Sequence, residues 1–181
     1  MTRKEILLLL AGLAAGSLLG LAYIFGSSWL ANRRENTPTR GLGIGNPAPD
    51  FSLELMDGTK TSLAQYRGHP VLLNFWATWC TPCKEEMPMF EQYAERYSPD
   101  LVVLGVNYGE TRDMAQAFIA ENAIDFPILL DPGSSTGPAY MIRAFPTTFF
   151  IDPDGVLRSM HIGQLSEELM DQYLPTIGLA Q

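Results

Sequence analysis

The sequence predicts an α/β domain, in which a mixed sheet is flanked by helices, preceded by one transmembrane helix. Strand-like and helical hydrophobic patterns alternate along residues 44–178. Hairpin signals lie at both ends of this region and indicate antiparallel strands at the sheet margins. With 181 residues and a 46% hydrophobic composition, the chain is long enough for one folded domain and an extension.

The N-terminal extension contains no charged side chain from Ile6 to Ala31. As a helix rising 1.5 Å per residue, this stretch exceeds the roughly 30 Å hydrocarbon core of a bilayer, so it predicts a membrane anchor over residues 1–31. A cleaved signal peptide is the alternative, although its apolar region usually spans about 7–15 residues and the small residues 26–28 form a weak cleavage site.

The charges that flank the span do not decide its orientation, because basic residues precede and follow it. The two cysteines of the chain lie beyond the span, and disulfide-forming cysteines are typical of compartments outside the cytoplasm. We therefore expect a single-pass protein of the cell membrane with an extracytoplasmic domain. Within the span, Gly12, Gly16 and Gly20 share one helix face and predict a homodimer through it, although small residues are common in membrane helices.

Residues 32–43 are polar and rich in glycine, and predict a linker to the domain at 44–178. From residue 41 onward the chain has seven Lys and Arg against eighteen Asp and Glu, a net charge of −11. Because such a surface repels phosphates, nucleic acid is excluded as an expected partner.

The domain begins with a predicted hairpin, in which residues 51–55 and 60–62 are strands around the turn at Asp57-Gly58. Ser62 is expected to cap a short helix that ends at Tyr66. The apolar run Val71–Trp76 then predicts a buried strand.

A helix is predicted directly after this strand, since Pro82 suits the first helical turn. Apolar residues at helical spacing are expected to face the sheet, namely Met87, Phe90, Ala94 and Tyr97. Pro88 lies inside this helix and predicts a kink, because it cannot donate to the carbonyl of Lys84.

Strand and helix patterns alternate through the rest of the domain. They predict strands at 101–107, 126–130, 147–151 and 156–162, and helices at 112–121, 137–141 and 167–174. Thr111 and Ser166 are expected to cap the first and last of these helices. The turn sequence at 152–155 predicts that the strands around it pair antiparallel.

Cys80 and Cys83 stand at the start of the first long helix. Unpaired N–H groups and the helix dipole favour an anion there, which lowers a thiol pKa from about 8.5 to about 3.5–7.5. Cys80 is the expected nucleophile, and Cys83, roughly one turn further, can attack a mixed disulfide formed at Cys80. The pattern predicts thiol-disulfide exchange.

A purely structural disulfide and a zinc site are two other possible roles for Cys80 and Cys83, and both are disfavoured. A purely structural disulfide would close a loop too short to constrain much of the unfolded chain. A zinc site needs about four ligands, and only His69 and His161 are available besides the cysteines, without the usual paired spacing. We expect no metal site and no cofactor.

The chain resembles the thioredoxin superfamily in the motifs Phe75-Trp76-Ala77-Thr78-Trp79-Cys80-Thr81-Pro82-Cys83-Lys84 and Phe145-Pro146-Thr147-Thr148-Phe149, and in Pro88. The anchor, the N-terminal hairpin, the extra unit at 107–130 and the turn at 152–155 are similar to membrane-anchored TlpA/ResA/CcmG-type thiol-disulfide oxidoreductases of the redoxin group. The resemblance covers residues 44–175. It implies a thioredoxin-like fold with an N-terminal β-hairpin and a central βα insertion.

The resemblance implies a redox-active disulfide in which Cys80 is the exposed attacking thiol and Cys83 the resolving one. Pro146 would be the cis-proline that faces the cysteines. A cis X–Pro bond turns the chain and leaves backbone near Phe145 free to pair with an extended substrate. Trp79 and Phe145 are the expected substrate contacts.

A carboxyl group is also implied for proton transfer. Thioredoxin has a buried aspartate where this chain has Asn74, and Glu86 matches the glutamate of the ResA-type pattern Cys-x-x-Cys-Lys-x-Glu. Partly buried, Glu86 would have a raised pKa and exchange a proton with Cys83, whereas the alternative is a solvated helix position. Glu110, at the end of a strand, is a second candidate.

The resemblance implies reduction of protein disulfides, with apocytochrome c as a substrate in cytochrome c maturation and a CcdA- or DsbD-type membrane protein as electron donor. An oxidase or general disulfide catalyst, a thiol peroxidase and a copper-binding module are the alternatives. Peroxidatic cysteines follow a Pro-x-x-x-Thr-x-x-Cys motif, whereas Ala77 stands at the threonine position here. A copper site would lack a nearby histidine ligand.

Overall fold

The computed structural model describes residues 41–179, which form one seven-stranded sheet with helices on both faces. The strands are β1 (Ser52–Leu55), β2 (Lys60–Ser62), β3 (Val71–Trp76), β4 (Val102–Tyr108), β5 (Ile128–Asp131), β6 (Thr147–Ile151) and β7 (Leu157–Ile162). The helices are α1 (Thr81–Arg96), α2 (Arg112–Asn122), α3 (Gly137–Tyr140) and α4 (Glu167–Tyr173), with 3-10 turns at Leu63–Tyr66 and Leu174–Ile177.

The sheet is mixed, which confirms the sequence prediction. Its strand order is β2-β1-β5-β4-β3-β6-β7. The three central strands β5, β4 and β3 run parallel, while β1 and β2 on one side and β6 and β7 on the other pair antiparallel. All six residues of β3 are buried, because helices cover both faces of this strand, and this explains its continuous apolar sequence.

Two apolar layers lie on opposite faces of the sheet. Leu72 and Trp76 belong to the layer that contains α1, α2 and α4. Leu73 and Phe75 alternate with them and belong to the layer that contains Tyr140 of α3. The order of strands, helices and apolar layers is that of a thioredoxin-like fold, with the predicted N-terminal hairpin in β1 and β2.

Most predicted elements are confirmed with ends that shift by one or two residues. The strand predicted from residue 126 begins at Ile128, directly after Pro127, which has no N–H to donate to a ladder. Ser166 caps α4 as predicted, because its Oγ accepts a hydrogen bond from the N–H of Leu169 at 3.3 Å.

Two capping predictions are wrong. Ser62 makes no capping hydrogen bond within the described chain; the carboxylate of Asp50 instead accepts from the N–H of Ala64 at 3.1 Å. A residue distant in sequence thus supplies the acceptor for this 3-10 turn. Thr111 likewise makes no side-chain cap to α2 among residues 41–179.

The predicted anchor at 1–31, its glycine face and most of the linker lie outside the described residues. Within residues 41–179, none of the helices has the length and apolar character needed to cross a bilayer. Residues 41–43, the last part of the predicted linker, belong to neither a strand nor a helix.

Candidate active site

A disulfide joins Cys80 and Cys83 at the point where β3 leads into α1, with an S–S distance of 2.05 Å. Cys80 is the N-cap of α1, and its Sγ accepts a hydrogen bond from the N–H of Cys83 at 3.2 Å. Pro82 occupies the first turn, where the missing N–H costs the helix no hydrogen bond. The two candidate cysteines are therefore brought together at a helix N-terminus, as the sequence predicts.

Both cysteine residues are buried in this oxidised form. Cys80 is 4% exposed and Cys83 is completely buried. The expected exposure of the attacking Cys80 thiol concerns the reduced form and stays a prediction, because in this structure the Sγ of Cys80 is bonded to that of Cys83. Of the two cysteines, Cys80 is the one that retains a small solvent-exposed fraction.

An aromatic row lies beside the disulfide. Trp79, next to Cys80, is 67% exposed, and its ring meets that of Phe145 edge-on at a centroid distance of 5.5 Å. Phe145 in turn contacts Tyr108 at 5.4 Å. The sequence did not identify Tyr108 as a residue of the site. Its position at the end of β4 could have indicated it, because β3 and β4 are parallel neighbours and end at the same edge of the sheet.

The Phe145–Pro146 peptide bond is cis, as expected. The register between β3 and β6 explains its position, because Thr147, the residue after Pro146, pairs with Phe75 near the end of β3. The cis-proline segment and the segment that leads to Cys80 are thus held at the same edge of the sheet. Phe145 is half-buried and Pro146 is buried.

Glu86 is buried beneath the site, with only 1% exposure. Its Oε1 accepts a hydrogen bond from Asn74 Nδ2 at 2.8 Å, and its Oε2 accepts from the N–H of Leu165 at 2.9 Å. Burial raises the pKa of Glu86 to about 7, although these two donors lower it in part. The alternative of a solvated helix position is wrong, and the sequence did not indicate Leu165 as a partner.

Glu110 holds the turn that precedes Cys80. Its carboxylate accepts hydrogen bonds from the N–H and the hydroxyl of Thr78, at 2.8 and 2.5 Å. A third bond, at 2.7 Å, comes from Asn107 Nδ2. Glu110 is 5% exposed. These contacts assign Glu110 a positioning role, and neither Thr78 nor Asn107 was singled out by the sequence.

The arrangement supports one kind of chemistry directly. A dithiol and a disulfide interconvert at Cys80 and Cys83 with the exchange of two electrons, and a helix N-terminus stabilises the thiolate that attacks or leaves. The fold and the site together define a thioredoxin-like thiol-disulfide oxidoreductase.

Comparisons with known proteins agree with this class. Residues 44–160 match the model of the AhpC/TSA family, and the chain belongs to that family. The thioredoxin-like protein YneN of Bacillus subtilis is 39% identical over 137 residues, which cover 74% of this chain and 80% of YneN. The thiol-disulfide oxidoreductase ResA of Bacillus subtilis is 31% identical over 178 residues, which cover 98% of this chain and 96% of ResA.

Solved structures show the same similarity. A Chlorobium tepidum structure described as a thiol:disulfide interchange protein DsbE superimposes with a TM-score of 0.71 and 32% identity, covering 76% of this chain and 100% of that one. StoA from Bacillus subtilis gives a TM-score of 0.61 and 27% identity, covering 70% of this chain and 96% of StoA. The predicted resemblance to TlpA/ResA/CcmG-type oxidoreductases is confirmed by these relatives.

Proposed function

We propose that this protein reduces disulfides in proteins outside the cytoplasm through the Cys80–Cys83 couple. The main support is structural: the Cys80–Cys83 pair lies at the start of α1, beside the exposed ring of Trp79 and the Phe145–Pro146 segment. The half-buried Phe145 and the exposed Trp79 offer contacts to a polypeptide next to the reactive sulfur.

In the proposed reaction, the thiolate of Cys80 attacks one sulfur of the substrate disulfide. A mixed disulfide forms, and the other substrate sulfur leaves as a thiolate that takes up a proton. The thiolate of Cys83 then attacks the Sγ of Cys80, which releases the second substrate thiolate. The substrate gains two electrons and two protons, and the protein is left with the disulfide that the structure contains.

Glu86 is the proposed acceptor of the proton that Cys83 must lose. It follows Cys83 by three residues on α1, so the two residues lie on the same side of the helix. A carboxyl group whose pKa is raised to about 7 can both take and return a proton near neutral pH. The path from the thiol to the carboxylate is part of the proposal.

The substrate and the donor are proposed from the resemblance to ResA-type proteins. Apocytochrome c, oxidised at its haem-binding cysteines, would be the substrate in cytochrome c maturation, and a CcdA- or DsbD-type protein would supply electrons.

Residues 1–31 would anchor the domain to the membrane, and Gly12, Gly16 and Gly20 would pair two anchors. Crosslinking in membranes that gave only monomers would exclude this pairing.

The reduction potential of the couple tests the proposed direction of electron flow. Equilibration of the full-length protein with glutathione or dithiothreitol buffers should give a value well below about −200 mV, as for dedicated reductants. A value near about −120 mV would instead identify an oxidant and favour disulfide formation as the function.

A further inference from the structure

A groove lies on the sheet face opposite α1, along the edge strand β7. It has a volume of about 270 Å³, and we refer to it as the β7 groove. Its walls come from three separate parts of the chain, represented by Ile44, by Met141 and Arg143, and by Met160 and Ile162. Thr147, the first residue of β6, lies at its inner side.

The β7 groove collects most of the exposed large apolar side chains. Ile44, Met141, Met160 and Ile162 are 62%, 53%, 40% and 58% exposed, and they are four of the six such residues within the described part of the chain. Scattered exposed apolar residues are ordinary, whereas a cluster around a concave surface indicates a binding site. Two of the four are methionines, whose flexible side chains adapt to different partners.

Met141 lines the groove and also marks the end of α3. Met141 follows α3 with φ = 52°, in the left-handed region where glycine is normally the residue of lowest energy. A methionine with half of its surface exposed gains little packing in return. The left-handed backbone only ends α3, as Ala123 ends α2 with φ = 50°, so it is the exposure of the Met141 side chain beside the groove that supports a binding surface.

The groove lies next to the cis-proline segment of the redox site. Thr147 lines the groove and directly follows Pro146, and its partner in the β6–β7 register is Ile162, which also lines the groove. On the other side of Pro146, the ring of Phe145 contacts Trp79, the neighbour of Cys80. The groove and the site at Cys80 thus lie on the two sides of Pro146, and one extended polypeptide would contact both by passing Phe145.

Arg143 adds a charge to this apolar surface. It is exposed, and none of the ion pairs among residues 41–179 involves it. In a region with a net charge of −11, a guanidinium beside an apolar groove favours a ligand that carries a carboxylate.

We propose that the β7 groove binds an extended apolar segment of the polypeptide whose disulfide reacts at Cys80, with an acidic residue of that segment against Arg143. This proposal rests on the proposed function and adds the substrate class, namely an unfolded polypeptide with apolar and acidic residues on one side of its disulfide. The groove contributes affinity for the polypeptide and takes no part in the bond exchange.

The test measures second-order rate constants for the reduced full-length protein in lipid nanodiscs. The probes are three short peptides that contain the same Cys-x-x-Cys disulfide. In the aspartate peptide it is flanked by leucine, valine and aspartate, and in the asparagine peptide asparagine replaces the aspartate. In the serine peptide the flanking residues are serine alone. Oxidised glutathione is the fourth probe, because it is too small to span the site and the groove. The variants are the pair Met141→Gln and Met160→Gln, the single change Arg143→Gln, and the control Met114→Gln, which alters an exposed methionine outside the groove.

We expect the double variant to lose about tenfold in rate with the leucine–valine peptides and nothing with glutathione. Arg143→Gln should remove an advantage of about threefold that the aspartate peptide has over the asparagine peptide. Met114→Gln should behave as the unmodified protein.

The groove proposal would be overturned if the unmodified protein reduced the leucine–valine and serine peptides at equal rates. It would also be overturned if the double variant reduced the leucine–valine peptides faster than the serine peptide by the same factor as the unmodified protein. The same holds if the double variant alters only self-association or vesicle binding, because the occupant would then be a second copy or a lipid surface. Failure to reduce glutathione and every peptide would instead overturn the proposed function, so the two failures are distinguishable.

Discussion

The side-chain amide of Asn74 donates a hydrogen bond of 2.8 Å to the carboxylate of Glu86 inside the apolar core. Asn74 also donates to the hydroxyl of Thr148 at 3.0 Å and thereby links β3, α1 and β6 through polar side chains. A neutral amide at this position leaves Glu86 without a charged partner among the groups that bond to it. Burial raises the pKa of this carboxyl to about 7, and no ion pair within the described residues offsets that effect.

This arrangement predicts that stability falls as the pH rises. Burial raises the pKa of Glu86 from 4.5 to about 7, so the folded state binds more protons than the unfolded state between these values. The protonated Glu86 makes its full contribution to the free energy of unfolding below about pH 4.5. This contribution, about 3 kcal/mol in total, is lost as the pH rises through about 7. In urea unfolding, the free energy of unfolding of Glu86→Gln should not show this fall with pH. Glu85→Gln, at an exposed position of the same helix, should still show it. Equal slopes for all three proteins would contradict a buried titrating Glu86.

The two cysteines should give different products when changed singly. Because Cys80 is the cysteine with contact to solvent, Cys83→Ser should accumulate a mixed disulfide with a peptide disulfide, and Cys80→Ser should not. Mass spectrometry after reaction and alkylation measures the adduct. Trapping through Cys83 in the Cys80→Ser protein would reverse the assigned roles.

The bonds between Glu110 and Thr78 should stabilise the turn before Cys80. In Glu110→Gln, one amide NH2 replaces an acceptor oxygen, so at least one of the three donors of Thr78 and Asn107 loses its acceptor. We expect a loss of about 1–3 kcal/mol in unfolding free energy and slower exchange at Cys80. Glu121→Gln is the matched control, because it removes only an exposed pair with Lys84 and should change stability by less than about 1 kcal/mol. A change in Glu110→Gln no larger than that of the control would contradict this positioning role.

Gly105 in β4 should not tolerate a side chain. A Cβ there would lie 2.6 Å from Ile128 Cδ1 and 3.0 Å from Trp76 Nε1, so the packed layer around Trp76 would have to move. Gly105→Ala should lower the thermal midpoint by an amount that corresponds to about 1–3 kcal/mol. Gly133→Ala is the control, since a Cβ there meets no atom within 4 Å. Similar midpoints for both variants would show that the core around Gly105 adapts.

The sequence predicts the fold well where each element carries its own signal. The buried strand β3 follows from its apolar run, and the β6–β7 hairpin from the turn at 152–155. The cysteine pair and Pro146 are likewise local motifs. Each of these features is encoded within a few neighbouring residues, so no knowledge of the tertiary structure is needed.

The remaining features depend on contacts between distant residues. Asp50 replaces Ser62 as the cap of a turn, and Glu110 bonds to Thr78 across 32 positions of sequence, because the fold brings together donors and acceptors that are far apart along the chain. The burial of Glu86 was only partly foreseen, since helical spacing does not fix how deeply a face is covered. No local signal marked the cis bond at Ser98–Pro99 or the exposed cluster along β7.

The complete burial of Cys83 restricts the kinetics of the whole catalytic cycle. In the proposed cycle, an electron donor would regenerate the dithiol by attack on the Sγ of Cys80, the same atom that reacts with the substrate disulfide. Donor and substrate would then compete for one sulfur, and the two half-reactions would alternate in a ping-pong order. The domain consequently acts as a two-electron shuttle for which its oxidant and its reductant compete.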